Sequence, residues 1–190
     1  MTERDRRDKD QRDTGMPGDV SEAELAQRFL RVNHAGEYGA VRIYAGQLAV
    51  LGRTPVASVI RAMAAKEDEH LRAFDRLLVE RRVRPTALHP LWHVAGFALG
   101  AATALMGARA AMACTAAVEE VIDDHYRGQV EKLTDAEADL RATFERFRQD
   151  EVEHRDTAIE HGARHAPAHG PLTHLIKSGS RFAIWLSERI

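Results

Sequence analysis

The sequence predicts an all-α protein: a bundle of four long helices followed by a short C-terminal helix. Three observations favour this fold class. Only 6 of the 190 residues are proline, so long stretches run without a helix breaker. Apolar residues recur at helical spacing, and no alternating apolar run flanked by turn residues predicts a sheet. With 44% apolar and 29% charged residues, the chain has the composition of one globular domain with a sizeable core.

The N-terminal residues 1–20 are predicted to form a disordered charged tail. The segment MTERDRRDKDQRDTGMPGD mixes both charges densely and contains almost nothing apolar. It has no apolar core of a secretory signal, and its many aspartates argue against a mitochondrial transit peptide. The folded domain is therefore expected to cover residues 21–190.

Capping signals predict where the first two helices begin. Ser21 and Glu24 have the capping-box spacing and open a helix that runs to about Leu51. Thr54 is placed to cap a second helix, which has a proline at its first position and ends at about Arg82.

The third predicted helix begins at Pro90, reaches roughly Leu133 and is expected to break near Gly107. The connection before it is short. If the helix starts at Pro90, its first half must either extend beyond the bundle or fold across it.

The last two helices follow from a second capping box and a Pro/Gly loop. Thr134 and Glu137 repeat the capping-box spacing and open a fourth helix that runs to about His165. After the loop APAHGP, a short helix is predicted from about Leu172 to Ile190.

Two of these helices carry a Glu-x-x-His pair within an apolar stripe. Glu67 and His70 are one helical turn apart and point the same way, and Glu151 and His154 repeat the spacing. Buried charges are costly unless they are paired or bind a metal. One such pair occurs often by chance, whereas two pairs on alternate inward faces indicate a site.

The other two long helices each offer one inward carboxylate, which is what a metal site inside a bundle needs. Glu37 lies in VNHAGEYGAV and Glu119 lies in ACTAAVEEVI. Glu37 precedes Glu67 by 30 residues, and Glu119 precedes Glu151 by 32 residues. The chain therefore reads as a degenerate duplication of one helical hairpin.

Four carboxylates and two imidazoles suit two first-row metal ions. The glutamates next to histidines, Glu67 and Glu151, are placed to bridge the ions. One further glutamate and one histidine would complete the set of ligands of each ion: Glu37 with His70, and Glu119 with His154. Iron is the leading metal because open coordination positions suit oxygen chemistry, and manganese stays open as the alternative.

Neighbouring residues are candidates for supporting roles. Tyr126 shares the face of Glu119 and either lines the site or packs in the core. Asp123, Asp150 and Glu120 are candidates to orient a ligand histidine.

Charge and cysteine content exclude several classes of protein. A formal net charge of -2 gives no argument for nucleic-acid binding, which would call for a concentrated basic face. The single cysteine, Cys114, excludes an internal disulfide and a cysteine-based zinc or iron–sulfur site within one chain.

The third helix contains an apolar segment, residues 91–118, that something must cover. Its uncharged core, Val94 to Ala108, has 15 residues, fewer than the roughly 20 that span a bilayer. The rest of the bundle, another subunit and the membrane interface are all possible covers. The terminal segment 172–190 favours the membrane interface, because it combines an apolar face with basic residues and Trp185. Ordinary packing of that helix stays open.

These motifs together resemble the demethoxyubiquinone hydroxylase family of ubiquinone biosynthesis. The resemblance rests on RVNHAGEYGA, KEDEHL, ACTAAVEEVIDDHY and DEVEHRDTAIEHGA, and it covers about residues 21–190. Ferritins and rubrerythrins share the ligand pattern but lack the apolar segment 91–118. The resemblance implies a ferritin-like four-helix bundle with an extra C-terminal helix. It also implies two carboxylate-bridged iron ions and a monooxygenase that uses O2 to hydroxylate the ring of a polyprenyl demethoxyubiquinol.

The resemblance also implies partners and a location. The substrate dissolves in membranes, so a peripheral position on the cytoplasmic face of a bacterial inner membrane is expected. Electrons would come from the quinol or from NADH, although the chain has no nucleotide-binding loop. Other ubiquinone-biosynthesis proteins and a second copy of the chain are further candidate partners. Two alternatives stay open: a ferritin-like iron-binding or peroxide-scavenging protein without an organic substrate, and a helical assembly factor for quinone-synthesis proteins.

Overall fold

The computed structural model describes residues 20–190, and within this range it contains helices and no strands. Six α-helices follow one another: α1 (Glu22–Leu51), α2 (Ala57–Glu80), α3 (His89–Leu105), α4 (Ala108–Val130), α5 (Ala138–Glu160) and α6 (His169–Ser187). The all-α prediction is confirmed. The predicted disordered tail, apart from Val20, lies outside the described residues.

The start of α1 agrees with the sequence, whereas the start of α2 does not. The Glu24 amide donates to the Ser21 hydroxyl at 3.3 Å, and the Ser21 amide donates to the Glu24 carboxylate at 3.0 Å. The prediction that Thr54 caps the second helix is wrong. Its hydroxyl instead donates to the Leu51 carbonyl at 2.7 Å, which closes the turn after α1, and α2 begins at Ala57.

The predicted capping box at the start of α5 is also wrong. The Thr134 hydroxyl accepts from the Ala136 amide at 3.3 Å within a short 3-10 turn, and α5 begins only at Ala138. The Glu137 carboxylate is engaged elsewhere, because it accepts two hydrogen bonds of 2.7 and 2.6 Å from Arg81. This side chain therefore ties the α4–α5 connection to the end of α2.

The long third helix of the prediction is two helices. α3 ends at Leu105, and Gly107 has a φ of 107°, a conformation that glycine adopts at no steric cost. α4 starts directly afterwards at Ala108. The predicted break near Gly107 is confirmed, and the chain changes direction there.

α3 runs alongside α1, backbone to backbone, from the stacked rings of His34 and His89 to the contact of Gly46 with Ala101. A β-carbon on Gly100 would lie 1.9 Å from the Ile43 carbonyl oxygen, and one on Gly46 would lie 2.2 Å from the Phe97 carbonyl oxygen. Only glycine permits such an approach. The close contact uses one face of α3 and leaves Leu91, Val94 and Leu105 exposed.

The core of the bundle formed by α1, α2, α4 and α5 has two apolar layers. The layer at one end includes Tyr44, Ile60, Met63, Met112 and Ala158. The layer at the other end includes Leu30, Phe74, Tyr126, Phe144 and Phe147. On each of the four helices, the predicted site residue lies in sequence between the residues that contribute to the two layers. The fold therefore places these residues at mid-height in the bundle.

α6 packs against α4 on the side of the bundle that α3 also flanks. Ile176 belongs to an apolar cluster with Cys114, Ala117, Val118 and Ile43. None of the helices within residues 20–190 has the length and apolarity that crossing a membrane requires.

Candidate metal centre

Six ionisable side chains from four helices meet in the middle of the bundle. Each of the six residues, taken as a whole, is at most 6% exposed. They are Glu37 on α1, Glu67 and His70 on α2, Glu119 on α4, and Glu151 and His154 on α5. The structure thus brings together every residue that the sequence singled out as a metal ligand.

The six side chains form two overlapping groups. In each group, one potential ligand atom per residue lies within 4.8 Å of all the others. The groups are Glu37, Glu67, His70 and Glu151, and Glu67, Glu119, Glu151 and His154. Glu67 and Glu151 belong to both, which is the placement expected of carboxylates shared by two ions.

Several buried polar atoms of this cluster make no well-aligned hydrogen bond: Glu67 Oε1, His70 Nδ1, Glu119 Oε2, both Glu151 oxygens and His154 Nδ1. They contact one another, with His154 Nδ1 2.9 Å from Glu67 Oε1 and His70 Nδ1 3.2 Å from Glu151 Oε1. Buried polar groups in folded proteins are nearly always hydrogen-bonded. Here, hard oxygen atoms and imidazole nitrogens face one another, which is the donor set that first-row divalent ions prefer. Two such ions would also neutralise the four carboxylates, so the residues present fit a two-metal site.

The electrostatics of the cluster leave the imidazoles strongly basic. Burial alone lowers the pKa of His70, but its contacts with Glu151 and Glu37 outweigh that effect and raise it to about 11. For His154, contacts with Glu151 and Glu67 outweigh burial in the same way and raise the pKa to about 11. Burial and then the neighbouring carboxylate Glu151 raise the pKa of Glu67. Without metal, the cluster therefore holds protons.

Two tyrosines hold the outer carboxylates in a crossed arrangement. The Tyr44 hydroxyl on α1 donates to Glu119 on α4 at 3.0 Å, and the Tyr126 hydroxyl on α4 donates to Glu37 on α1. Tyr126 therefore contacts the cluster as well as packing in the core. Sequence reasoning missed Tyr44. A signal was present, because Tyr44 follows Glu37 by seven residues and Tyr126 follows Glu119 by the same interval.

Buried amides extend the same crossed pattern above and below the cluster. Asn33 and Gln129 exchange two hydrogen bonds of 2.7 and 2.9 Å. In the other half, the Gln47 amide donates to Thr115 at 3.3 Å. Asn33 and Thr115 each precede their helix's glutamate by four residues, while Gln47 and Gln129 each follow it by ten. The duplication of the sequence is therefore visible in side-chain contacts between α1 and α4.

One of the three acidic candidates for orienting a histidine does so. His70 Nε2 and Asp150 Oδ2 are 2.9 Å apart, and Asp150 on α5 lies just before Glu151. Asp123 instead pairs with arginines, among them Arg148 at 2.8 Å, and Glu120 pairs with Lys177 at 2.6 Å.

An apolar groove of about 560 Å³ lies beside the cluster, between α3 and α6. Its floor is formed by α1 and α4, where Gly36 and Val118 are the residues next to Glu37 and Glu119. At one end of the groove, the Trp92 indole on α3 donates to the Ser187 hydroxyl on α6 at 3.1 Å. The apolar segment 91–118 thus supplies the α3 side of this groove and part of its floor, and the terminal segment 172–190 supplies the α6 side.

Comparison with known proteins gives consistent similarities over most of the chain. The family model described as "Ubiquinone biosynthesis protein COQ7" matches residues 24–187. A "3-demethoxyubiquinol 3-hydroxylase" from Rhodospirillum rubrum is 58% identical over 176 residues, which cover 92% of this chain and 83% of that protein. The human "NADPH-dependent 3-demethoxyubiquinone 3-hydroxylase, mitochondrial" is 50% identical over 183 residues, which cover 94% of this chain and 84% of that protein. A Saccharomyces cerevisiae "5-demethoxyubiquinone hydroxylase, mitochondrial" is 43% identical over 187 residues, with coverages of 90% and 80%.

Proposed function

The chain belongs to the COQ7 family of ubiquinone biosynthesis proteins, and on that premise we propose that it hydroxylates the ring of a polyprenyl demethoxyubiquinol with O2. The single observation that best supports this function is the buried cluster of four glutamates and two histidines, several of whose potential ligand atoms make no well-aligned hydrogen bond. The two imidazoles can pair with only part of the charge of four carboxylates, and unpaired buried charges are costly, so the cluster favours bound cations.

In this proposal, the cluster would hold two iron ions, which would supply the redox chemistry with O2. Glu67 and Glu151 would contact both ions. Each ion would have one further glutamate and one histidine: Glu37 with His70, and Glu119 with His154. The Tyr44 and Tyr126 hydroxyl groups would fix the outer carboxylates, and the apolar layers on either side would keep bulk water away from the reacting atoms.

The groove between α3 and α6 is the proposed binding site for the polyprenyl tail. Its lining is almost entirely apolar, as an isoprenoid chain requires. Its floor includes the residues directly preceding Glu37 and Glu119, so a ring bound there would lie at the same height in the bundle as the cluster. One oxygen atom would enter the ring and the other would leave as water. The two electrons needed would come from the quinol or from a reduced nicotinamide nucleotide.

The outer faces of α3 and α6 support a peripheral position on a membrane. Exposed apolar side chains stand on both helices and at the C-terminal end: Leu91, Val94, Leu105, Leu175, Phe182, Trp185 and Ile190. Arg189 lies over the Trp185 ring at 4.3 Å, a combination suited to the headgroup region. A substrate dissolved in the bilayer could then enter the groove without crossing water. We propose the cytoplasmic face of a bacterial inner membrane as the location.

The test is a single-turnover reaction with iron-loaded protein. The protein is reduced under nitrogen, mixed with a short-tailed demethoxyquinol analogue and exposed to ¹⁸O2, and the quinone product is analysed by mass spectrometry. We expect a hydroxylated ring that carries one ¹⁸O atom. The matched variants are Glu119→Gln, which should form no product, and Asp124→Asn, an exposed neighbour on α4 that should leave the reaction unchanged.

The alternative functions give different results in the same experiment. An iron-binding or peroxide-scavenging protein would oxidise its iron and leave the ring unchanged. An assembly factor would bind no metal in the first place. Either outcome would contradict the hydroxylase proposal.

A further inference from the structure

The two histidines of the cluster are held very differently. His70 Nε2 lies 2.9 Å from the Asp150 carboxylate, and the His70 ring stacks on Phe147 with centroids 4.1 Å apart and planes at 26°. The His154 ring instead meets Tyr44 edge-on, with centroids 6.5 Å apart. Within residues 20–190, no hydrogen-bond partner reaches His154 Nε2. Its side chain is 8% exposed, against 2% for His70.

The difference follows from two positions at which the duplicated hairpins diverge. Asp150 precedes the shared glutamate of α5 by one residue, and Phe147 precedes it by four. The corresponding positions of α2 hold Lys66 and Met63. A lysine ammonium can only donate hydrogen bonds, so Lys66 cannot accept one from the His154 imidazole. The half of the site that contains His154 therefore lacks a counterpart of Asp150.

This asymmetry has a consequence for metal affinity. A carboxylate that accepts from the outer nitrogen of an imidazole fixes the ring orientation and turns the lone pair of the inner nitrogen toward the metal. It also makes the imidazole a stronger ligand, and removing such a partner typically lowers metal affinity by about 10- to 100-fold. The crossed tyrosines support the two outer carboxylates alike, so they do not offset the difference.

We propose that the two subsites fill in a fixed order: the Glu37–His70 subsite binds its ion first and more tightly, and the Glu119–His154 subsite binds second. Asp150 is the positioning residue that sets this order. The inference rests on the proposed function, because it assumes that the cluster binds two ions. It adds that the ion beside His154 is the one lost first when metal is scarce.

The order is tested by anaerobic titration of the metal-free protein with Co²⁺, whose visible absorption reports each binding step, in competition with a chelator of known affinity. We expect two resolved steps in the wild-type protein, the first tighter by at least about tenfold. The His154→Ala variant should keep the tight step, and the His70→Ala variant should lose it. Two equal steps, or a tight step that survives in His70→Ala but not in His154→Ala, would overturn the inference.

Asp150 variants then test the proposed cause. Asp150→Ala should weaken the first step by about 10- to 100-fold and leave the second unchanged, so that the two steps merge. Asp150→Asn, whose amide oxygen can still accept from His70, should lie between Asp150→Ala and the wild type. Lys66→Gln is the matched control, since it removes the Lys66 contact with Asp150 at 3.6 Å but keeps the Asp150–His70 contact. It should preserve the order.

The outcomes also separate the inference from the proposed function. An equal weakening of both steps in Asp150→Ala, with helix content by circular dichroism unchanged, would assign Asp150 a general structural role and overturn the inference alone. Failure of the wild-type protein to bind Co²⁺ or Fe²⁺ at all would overturn the proposed function together with it.

Discussion

At the scale of single residues, the shared position of Glu67 and Glu151 distinguishes them from the other carboxylates of the cluster. Each belongs to both groups of potential ligands, whereas Glu37 and Glu119 belong to one group each. Loss of a shared carboxylate should therefore affect both ions, and loss of an outer one should affect mainly its own ion.

We predict that Glu67→Ala empties the site, whereas Glu37→Ala keeps about one ion per chain, because only the shared carboxylate is common to both subsites. Metal content after anaerobic loading and desalting is the measurement. Asp68→Ala, on the exposed side of the same helix turn, is the control and should keep the full load. A full load in Glu67→Ala would show that the carboxylate is not shared.

Protonation of the two histidines leads to a second prediction. Their pKa values of about 11 mean that both imidazoles carry protons at pH 7 in the metal-free protein. Because a ligand imidazole must be neutral, and because the pKa values of Glu67 and Glu119 are also raised, metal loading should release at least two protons and should strengthen as pH rises from 6 to 8. Titration calorimetry in two buffers with different ionisation heats measures the released protons. Equal heats in the two buffers would contradict the prediction.

At the scale of whole elements, the contact between α1 and α3 determines where the groove can form. Gly100 permits it, since the Ile43 carbonyl oxygen occupies the space that a side chain would need. The same contact leaves the opposite face of α3 without a partner in the bundle. Other residues of α3 form one side of the groove.

We predict that Gly100→Ala lowers the free energy of unfolding by about 1–3 kcal/mol, because overpacking forces the two backbones apart. Gly128→Ala is the matched control: a β-carbon there meets nothing within 4 Å, so the change should be neutral or stabilising by up to about 1 kcal/mol. Urea unfolding of the metal-free protein measures both. If Gly100→Ala is as stable as Gly128→Ala, the helices are not in the close contact described.

The sequence predicted the helices and the acidic cluster more accurately than the helix starts. Glu67 and His70 could be placed because their spacing and the surrounding apolar stripe are local features of one helix. The predicted capping roles of Thr54 and Thr134 were wrong because a threonine hydroxyl has several backbone groups within reach, and the choice depends on the tertiary structure. Glu137, for example, meets Arg81, which lies 56 residues earlier in the chain.

At the site, the residue roles that could not be predicted are those that depend on contacts between helices. Three acidic residues were equally placed to orient a histidine, and only the register of α2 against α5 selects Asp150. Neither the packing of α3 along α1 nor the bond from Tyr44 to Glu119 could be predicted from one helix alone. For Tyr44, comparison of the two halves of the sequence would have supplied the missing information.

At the scale of the whole molecule, most of the large exposed apolar side chains of residues 20–190 lie on, or directly after, the two helices that border the groove. This arrangement connects substrate entry with membrane attachment. A surface that binds lipid would also align the open groove with the bilayer.

We predict that Phe182→Glu combined with Trp185→Glu lowers binding to vesicles that contain anionic lipid by at least about tenfold, since full burial of one large apolar side chain contributes about 1.5–3 kcal/mol. Flotation of the protein with the vesicles is the measurement. Val79→Glu, at a residue on α2 that is 79% exposed, is the control and should float as the wild type does. Equal flotation of the double variant would show that this face does not bind lipid.

The crossed bonds between α1 and α4 have a consequence for how the chain could be divided. Each hairpin carries a buried glutamate whose tyrosine partner lies on the other hairpin. A chain cut in the connection between α2 and α3 would give two fragments, neither of which could satisfy its own carboxylate. We expect that each fragment expressed alone aggregates, that the two expressed together reassemble, and that added metal strengthens their complementation.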